Sequence, residues 1–419
     1  MGVPVRHPEL NPPIRPALEP APSTSSPTAY ENVDSIVQRF SIVTGGPIYD
    51  FLLRMGLMRM GLPNVLRRIA VIVGITWVPL LVLSLKDGLA FGHQVTIPFL
   101  SDFAVYGRFL LGLPLLILAE VVIDPAIRQA VAEFVDARLV SDQELPEFEK
   151  ILRRTQRLRD SWIPEVGLLA LVFFPMFVFQ HDWTVGAVSS WHTSPQGLTA
   201  AGWWYAIFSG PMMKFIMYRW GYRYFIWAYL LWRVSQLNLV LMPTHPDHAA
   251  GLNFLGSTQK RFGIIFCALG CSFAGRVANS VFLEKEPLGS FKVLMVGFVV
   301  LSVIVALLPL ALLAPKLSKV RKKGLLEYGR LANSYTQQFD RKWVHYTERA
   351  SEPLLGTGDI QSLADMGNSF AFVDAMTIAP ITRRLALQLA AQAALPLLPL
   401  IILGTPAPEL IRAVLKMVA

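Results

Sequence analysis

An all-α, polytopic transmembrane helical bundle of six or seven spans, with a small cytoplasmic helical layer, is the fold class this sequence predicts. Three observations predict it. Charged residues make up only 16% of the 419, against about 25% in a soluble domain. Hydrophobic residues make up 53%, and the mean hydropathy is +0.46. The apolar residues are gathered into runs near the ~20 residues needed to cross a hydrocarbon core of about 30 Å.

Taken in order, residues 1–35 are rich in Pro, Ser and Thr and have no apolar h-region. They predict a disordered cytoplasmic tail, not a cleaved signal peptide. Residues 36–124 read as an interfacial helix and the first two spans, at 69–85 and 109–122. Residues 125–160 mix acids and bases on an amphipathic pattern. Pro125 suits a helix start and Pro146 divides the segment, so two cytoplasmic helices are expected. Within 161–315 a third span falls at 167–179, and further spans at 262–283 and 293–314. Residues 316–384 read as a cytoplasmic helical region: a charged helix to about 349, a turn at 354–359, and a second helix over 360–376 capped by Asp359. The last segment, 385–403 of 385–419, contains Pro396 and Pro399. Proline removes a backbone donor, so this is either a bent span or a re-entrant element ahead of a short tail.

The stretch 203–241 is long enough for one crossing or two, and the charge pattern decides. Arg54, Arg59, Arg67 and Arg68 precede the first span, and Arg153, Arg154, Arg157 and Arg159 lie between spans two and three. No Lys or Arg occurs from His181 to Gly202, and Lys316, Lys319, Arg321, Lys322 and Lys323 follow the span at 293–314. Basic loops stay in the cytoplasm. All these clusters share one side only if 203–241 crosses once, at about 203–218. Residues 219–241, with aromatics among arginines, then read as a lipid-facing interfacial helix. The formal charge of +9 fits anionic headgroups at the cytoplasmic face. The expected partners are the lipid bilayer, those headgroups and a cytoplasmic protein; nucleic acid is not expected.

Candidate sites are few. His245, Asp247 and His248, in a loop at 243–256, are metal-ligand residue types. Pro246 between them rules out a regular helix there, and further ligands would come from elsewhere, with His345 one candidate. The plainer reading is a rigid turn fixed by proline, aspartate and glycine. Arg276, Glu120 and Asn279 lie within spans, where polar groups are costly and face protein or water. Glu120 and Arg276 differ in depth by roughly 10 Å, so they are not expected to pair. Arg276 is expected to reach towards Glu284 and Glu286. Cys267 and Cys271 share a helix face as packing residues. Gly356-Thr357-Gly358 lacks the rest of a phosphate loop, and no catalytic motif or cofactor signature is present.

Two segments carry a family resemblance. One is Pro243-Thr244-His245-Pro246-Asp247 followed by Gly251-Leu252-Asn253-Phe254-Leu255-Gly256. The other is Leu354-Leu355-Gly356-Thr357-Gly358-Asp359-Ile360-Gln361-Ser362-Leu363-Ala364-Asp365. Together they resemble a family of bacterial multi-pass inner-membrane proteins without an assigned activity. The resemblance implies a bacterial inner membrane and no particular chemistry. That family often has two glycines after the His-Pro-Asp, and Ala250 stands in place of the first. The expected function is non-enzymatic: movement of a small solute or ion, or support of a membrane complex. The alternatives are a membrane-embedded metal-dependent enzyme using His245, Asp247 and His248, and a scaffold for a cytoplasmic partner.

Overall fold

The computed structural model describes residues 27–54, 62–92, 94–178, 189–194, 197–345 and 358–404. Two short helices, α1 (Pro27–Gln38) and α2 (Pro47–Arg54), precede α3 (Leu62–Lys86). Helix α4 runs over Phe103–Asp136 and is π-wound over Tyr106–Gly112. Helices α5 (Leu145–Asp160) and α6 (Trp162–Val178) follow, then a minimal hairpin, β1 (Thr193–Ser194) and β2 (Gly197–Leu198). Helix α7 covers 200–235 and is π-wound over Tyr205–Ser209. Helices α8 (Phe254–Phe282), α9 (Leu288–Ala311), α10 (314–344), α11 (Asp359–Asp374) and α12 (Arg383–Leu403) complete the chain. Five of these, α3, α4, α8, α9 and α12, are long and apolar enough to cross a membrane. Helix α6 is apolar but shorter, and α7 carries four basic residues along its length.

The loops sort to two ends of the bundle. At one end, Ile97 and Trp191 exchange backbone bonds with each other's strands of loop, and Asp102 meets Asn279. At the other, Val240 N–H donates to Leu139 O at 2.8 Å beside the bridge between Val140 and Leu239, Lys316 reaches Leu237 O at 2.7 Å, and Thr377 N–H donates to His248 O at 2.8 Å. The second end carries the arginine and lysine clusters and is called the basic end below. Helix α7 has no turn within it, so the double crossing that needs one is absent. At 1.5 Å per residue, α4 and α7 are each about 50 Å long. Both are longer than a hydrocarbon core of about 30 Å.

Close helix contact comes from glycine. A Cβ on Gly275 of α8 would sit 2.5 Å from Phe103 O of α4, and one on Gly112 would sit 3.0 Å from Ala268 O. In lipid, helix association rests on packing and not on water exclusion, so small residues let backbones approach. Helix α12 runs parallel to α8: Leu385 packs by Gly256, Gln392 by Gly263, Pro396 by Gly270, and Leu397 and Leu400 by Ala274 and Val277. It does not turn back, so the described segment is a bent helix and not a re-entrant loop. Both prolines stand in first-turn positions, Pro396 in a tight turn at Leu395–Leu397 and Pro399 in the helix after it. There a missing N–H costs nothing.

Four expectations need correction. Residues 27–35 belong to a helix, because Val33 and Val37 are buried in the bundle core; residues 1–26 lie outside the described residues. Pro125 does not begin a helix but lies within α4. Tertiary bonds hold that turn, since Asp124 binds the Ser41 loop and Arg128 Nε donates to Phe40 O. The helix at 219–235 does not turn all of its aromatics outward: Phe225 and Trp232 are exposed, but others face the protein. Trp220, Arg223 and Trp227 are buried, because their N–H groups find acceptors inside the protein. Asp359 is the first residue of α11, not its cap, and its carboxylate instead accepts from Lys342 and Trp343.

Gly275→Val is expected to lower stability by about 1–3 kcal/mol, as overpacking does. Gly297→Val, at a site where nothing lies within 4 Å, is expected to leave it unchanged. Thermal melting of both variants in detergent checks this.

Candidate functional site

A carboxylate inside an apolar run needs a counter-charge, and Glu120 has two. Arg68 of α3 binds Glu120 Oε2 at 2.5 Å, and Arg223 of α7 binds Oε1 at 2.7 Å. Both arginines are almost fully buried. Arg223 also donates to Val43 O, and Arg68 to Ile117 O. One acid on α4 therefore joins three helices. Beside it, Asp124 accepts from Ser41 Oγ and from the N–H groups of Ile42 and Val43. Arg159 donates to Ser41 O at 2.7 Å. Arg219 faces Glu165 of α6 at 3.8 Å. The loop before α2 is thus clamped onto α4, α5 and α7 at the basic end.

The opposite end has a smaller network. Asn279 Nδ2 donates to Asp102 Oδ1 at 2.8 Å, and its own oxygen accepts from Phe103 N–H. Trp191 Nε1 donates to Asp102 Oδ2 at 2.8 Å. Arg108 donates to Tyr205 Oη at 2.6 Å, from one π-wound stretch to the other. The His192 ring stacks on Tyr205. Burial pushes its imidazole below the ordinary value, against the pull of Asp102. Arg276 lies 3.9 Å from Glu284, the partner the sequence points to. Glu120 and Arg276 belong to opposite ends and do not meet.

The His245 loop is organised by Asp247. Its Oδ1 accepts from Ala249 N–H at 2.8 Å and Gly251 N–H at 3.1 Å, and Oδ2 from Asn253 N–H at 3.0 Å. His245 Nδ1 lies 2.8 Å from the same carboxylate. Burial works to raise the Asp247 pKa, but those backbone donors and His245 outweigh it and hold the group below the usual carboxylate range. The His248 ring stacks on Phe372 of α11 at 5.5 Å, and its carbonyl accepts from Thr377. Pro243 packs against Gly324 of α10. The loop therefore brackets the base of the α10–α11 hairpin to the bundle. Among the described residues no group of three or more His, Cys, Asp or Glu is placed to hold a metal ion. His345 is instead 3.2 Å from Asp340.

No protein-family model matches the chain, and neither does any curated protein or solved structure. Sequence reasoning picked out Glu120 and Asn279 but not their partners. Arg68 counts among the basic residues before the first span and Arg223 among the arginines of 219–241, and nothing in the sequence singles out Asp102. The usable signal was Glu120 itself, which no residue near it in sequence can neutralise.

Three outcomes are expected. Glu120→Ala strands two buried cations and should cost about 3–5 kcal/mol. The triple variant Arg68→Met, Glu120→Leu, Arg223→Met should recover most of that loss, as read by detergent melting curves. Ala250 has φ +54°, a region that penalises a Cβ by roughly 1–2 kcal/mol. Ala250→Gly should therefore raise stability by about 1 kcal/mol, while Ala249→Gly should not. Because Asp247 is held below its unfolded pKa of about 3.9, its contribution is complete above that pH and is lost as acid protonates it. The same melting curves taken across pH 3–7 read it.

Proposed function

We propose that the chain is a non-enzymatic multi-pass protein of a bacterial inner membrane, with its basic end cytoplasmic, that supports a membrane complex by holding a cytoplasmic partner. The seven-crossing topology with a cytoplasmic N-terminus is part of this reading. It is supported by the alternation of the loops between two ends and by the positive-inside rule. Helices α6 and α7 supply the two crossings beyond the five long apolar helices.

The observation that carries the partner reading is the α10–α11 hairpin. Over Ala314–Phe339 only Leu317 and Gly324 are buried, and over α11 only Val373. Leu326, Leu331 and Ile360 are about half exposed. A helix pair that merely closed the bundle would hide these side chains. Over Ala314–Phe339 the arm is also basic, with Lys316, Lys319, Arg321, Lys322, Lys323 and Arg330 against Glu327. Its complement is an acidic amphipathic helix of a cytoplasmic protein, seated as helices seat in grooves. Transport is less favoured because Glu120 and Asn279 have their polar atoms engaged in joining helices. A metal-dependent enzyme is less favoured because both Asp247 oxygens accept backbone N–H bonds.

The test is purification of the full chain from its native membranes in mild detergent. A stoichiometric partner is expected with the natural chain. It should fall at least tenfold with Leu326→Glu/Leu331→Glu, whose melting temperature should be unchanged. A natural chain that purifies alone, or a variant that keeps the partner, overturns the reading.

A further inference from the structure

A groove of about 310 Å³ lies between α4, α8 and α12, lined by Val122, Lys260, Arg261, Ile264, Cys267 and Gln392. It differs from the nearby latch formed by Arg68, Glu120 and Arg223, where each cation has both an acid and a carbonyl. Lys260 and Arg261 are both exposed, and among the described residues neither forms an ion pair or hydrogen bond. The Gln392 amide also has no hydrogen-bond partner among them. It lies directly over the Cα of Gly263, in space that any Cβ there would fill. No acid lines the groove. Two cations and an amide therefore stand at one mouth of a cleft whose other walls, Val122, Ile264 and Cys267, are apolar.

The position gives the cleft its meaning. Lys260 and Arg261 sit where α8 enters its apolar stretch from the basic end. Ile264 and Cys267 lie about one and two turns further in along the same helix. The polar mouth is therefore at headgroup level and the apolar walls are at acyl-chain level in the same leaflet. A ligand matching both has a negative head and a hydrocarbon tail. Basic pockets between membrane helices bind acidic lipid headgroups for the same reason.

We propose that this groove is a site for one acidic phospholipid of the leaflet at the basic end. Its phosphate lies between Lys260 and Arg261 and accepts from the Gln392 amide. One acyl chain lies along Val122, Ile264 and Cys267. The site does not depend on the partner reading above, and it neutralises the two cations that the protein leaves without an acid. Glycine at 263 is needed because only a missing Cβ lets Gln392 lie across α8 and reach the mouth.

The experiment is native mass spectrometry of the full chain released from nanodiscs of equal phosphatidylglycerol and phosphatidylcholine. The natural chain should retain phosphatidylglycerol in preference. Lys260→Ala/Arg261→Ala should weaken that retention roughly 30-fold, from about 1 kcal/mol per cation. Ile264→Trp keeps both charges but fills the apolar part, and it should also release the lipid. Equal retention of the two lipids by the natural chain overturns the proposal. So does undiminished phosphatidylglycerol retention in the double variant, whose two exposed positions leave the fold intact. Displacement by millimolar inorganic phosphate would assign the cations to a soluble anion and overturn the lipid site.

Discussion

A carboxylate inside an apolar bundle stays ionised only if opposite charge comes to it, and the desolvation cost of an unpaired ion is several kcal/mol. That constraint organises the basic end. Glu120 draws Arg68 and Arg223 inward, which fixes α3 and α7 against α4 at one depth and one rotation. Arg223 then has a spare donor for Val43 O, and the loop before α2 is drawn in after it. The neighbouring Asp124 repeats the pattern one turn later with Ser41 and Arg128. A buried ion pair is weak evidence for stability against an apolar replacement. Its effect is on specificity: helices in lipid can slide past one another with little change in buried apolar area, and charges placed in register prevent it.

The fold class was legible because lipid imposes length and composition on whole segments. Five helices emerge where apolar runs are long enough, and the described loops sort to two ends of the bundle. Less was legible where one residue serves two settings. Arg223 and Trp227 in a sequence of alternating aromatics and arginines look alike whether they face headgroups or protein. Only the presence of Glu120 on another helix and of Gln259, which accepts from Trp227 at 3.1 Å, turns them inward. Pro125 misled for a related reason: local chemistry favours a helix start, but contacts from residues more than 80 positions away hold the helix through it.

The candidate residues divide in the same way. Asn279 and Arg276 were recognisable as costly groups in a span, and Arg276 meets Glu284 as its position on the helix allows. Asp102 was not, since nothing local marks it as the acceptor for both Asn279 and Trp191. In the loop at 243–256, aspartate and glycine chemistry was readable as a turn. Its contact with Phe372 and Thr377 was not, because it joins segments far apart in sequence. Ala250 adds a backbone reason for glycine at that place, one that involves φ and no ligand.

The order of the three latch residues along the chain also bears on how the protein is made. Synthesis delivers a cation, then an anion, then a second cation, on α3, α4 and α7. When only α3 has entered the bilayer, Arg68 can stay at the interface by reaching outward. The arrival of α4 permits a neutral pair that can settle deeper. Two further helices must pass before Arg223 completes the set and the early loop finds its last donor. The N-terminal clamp is therefore a late event in biogenesis, and a nascent chain halted before α7 would hold its first helices without the lock that fixes their register.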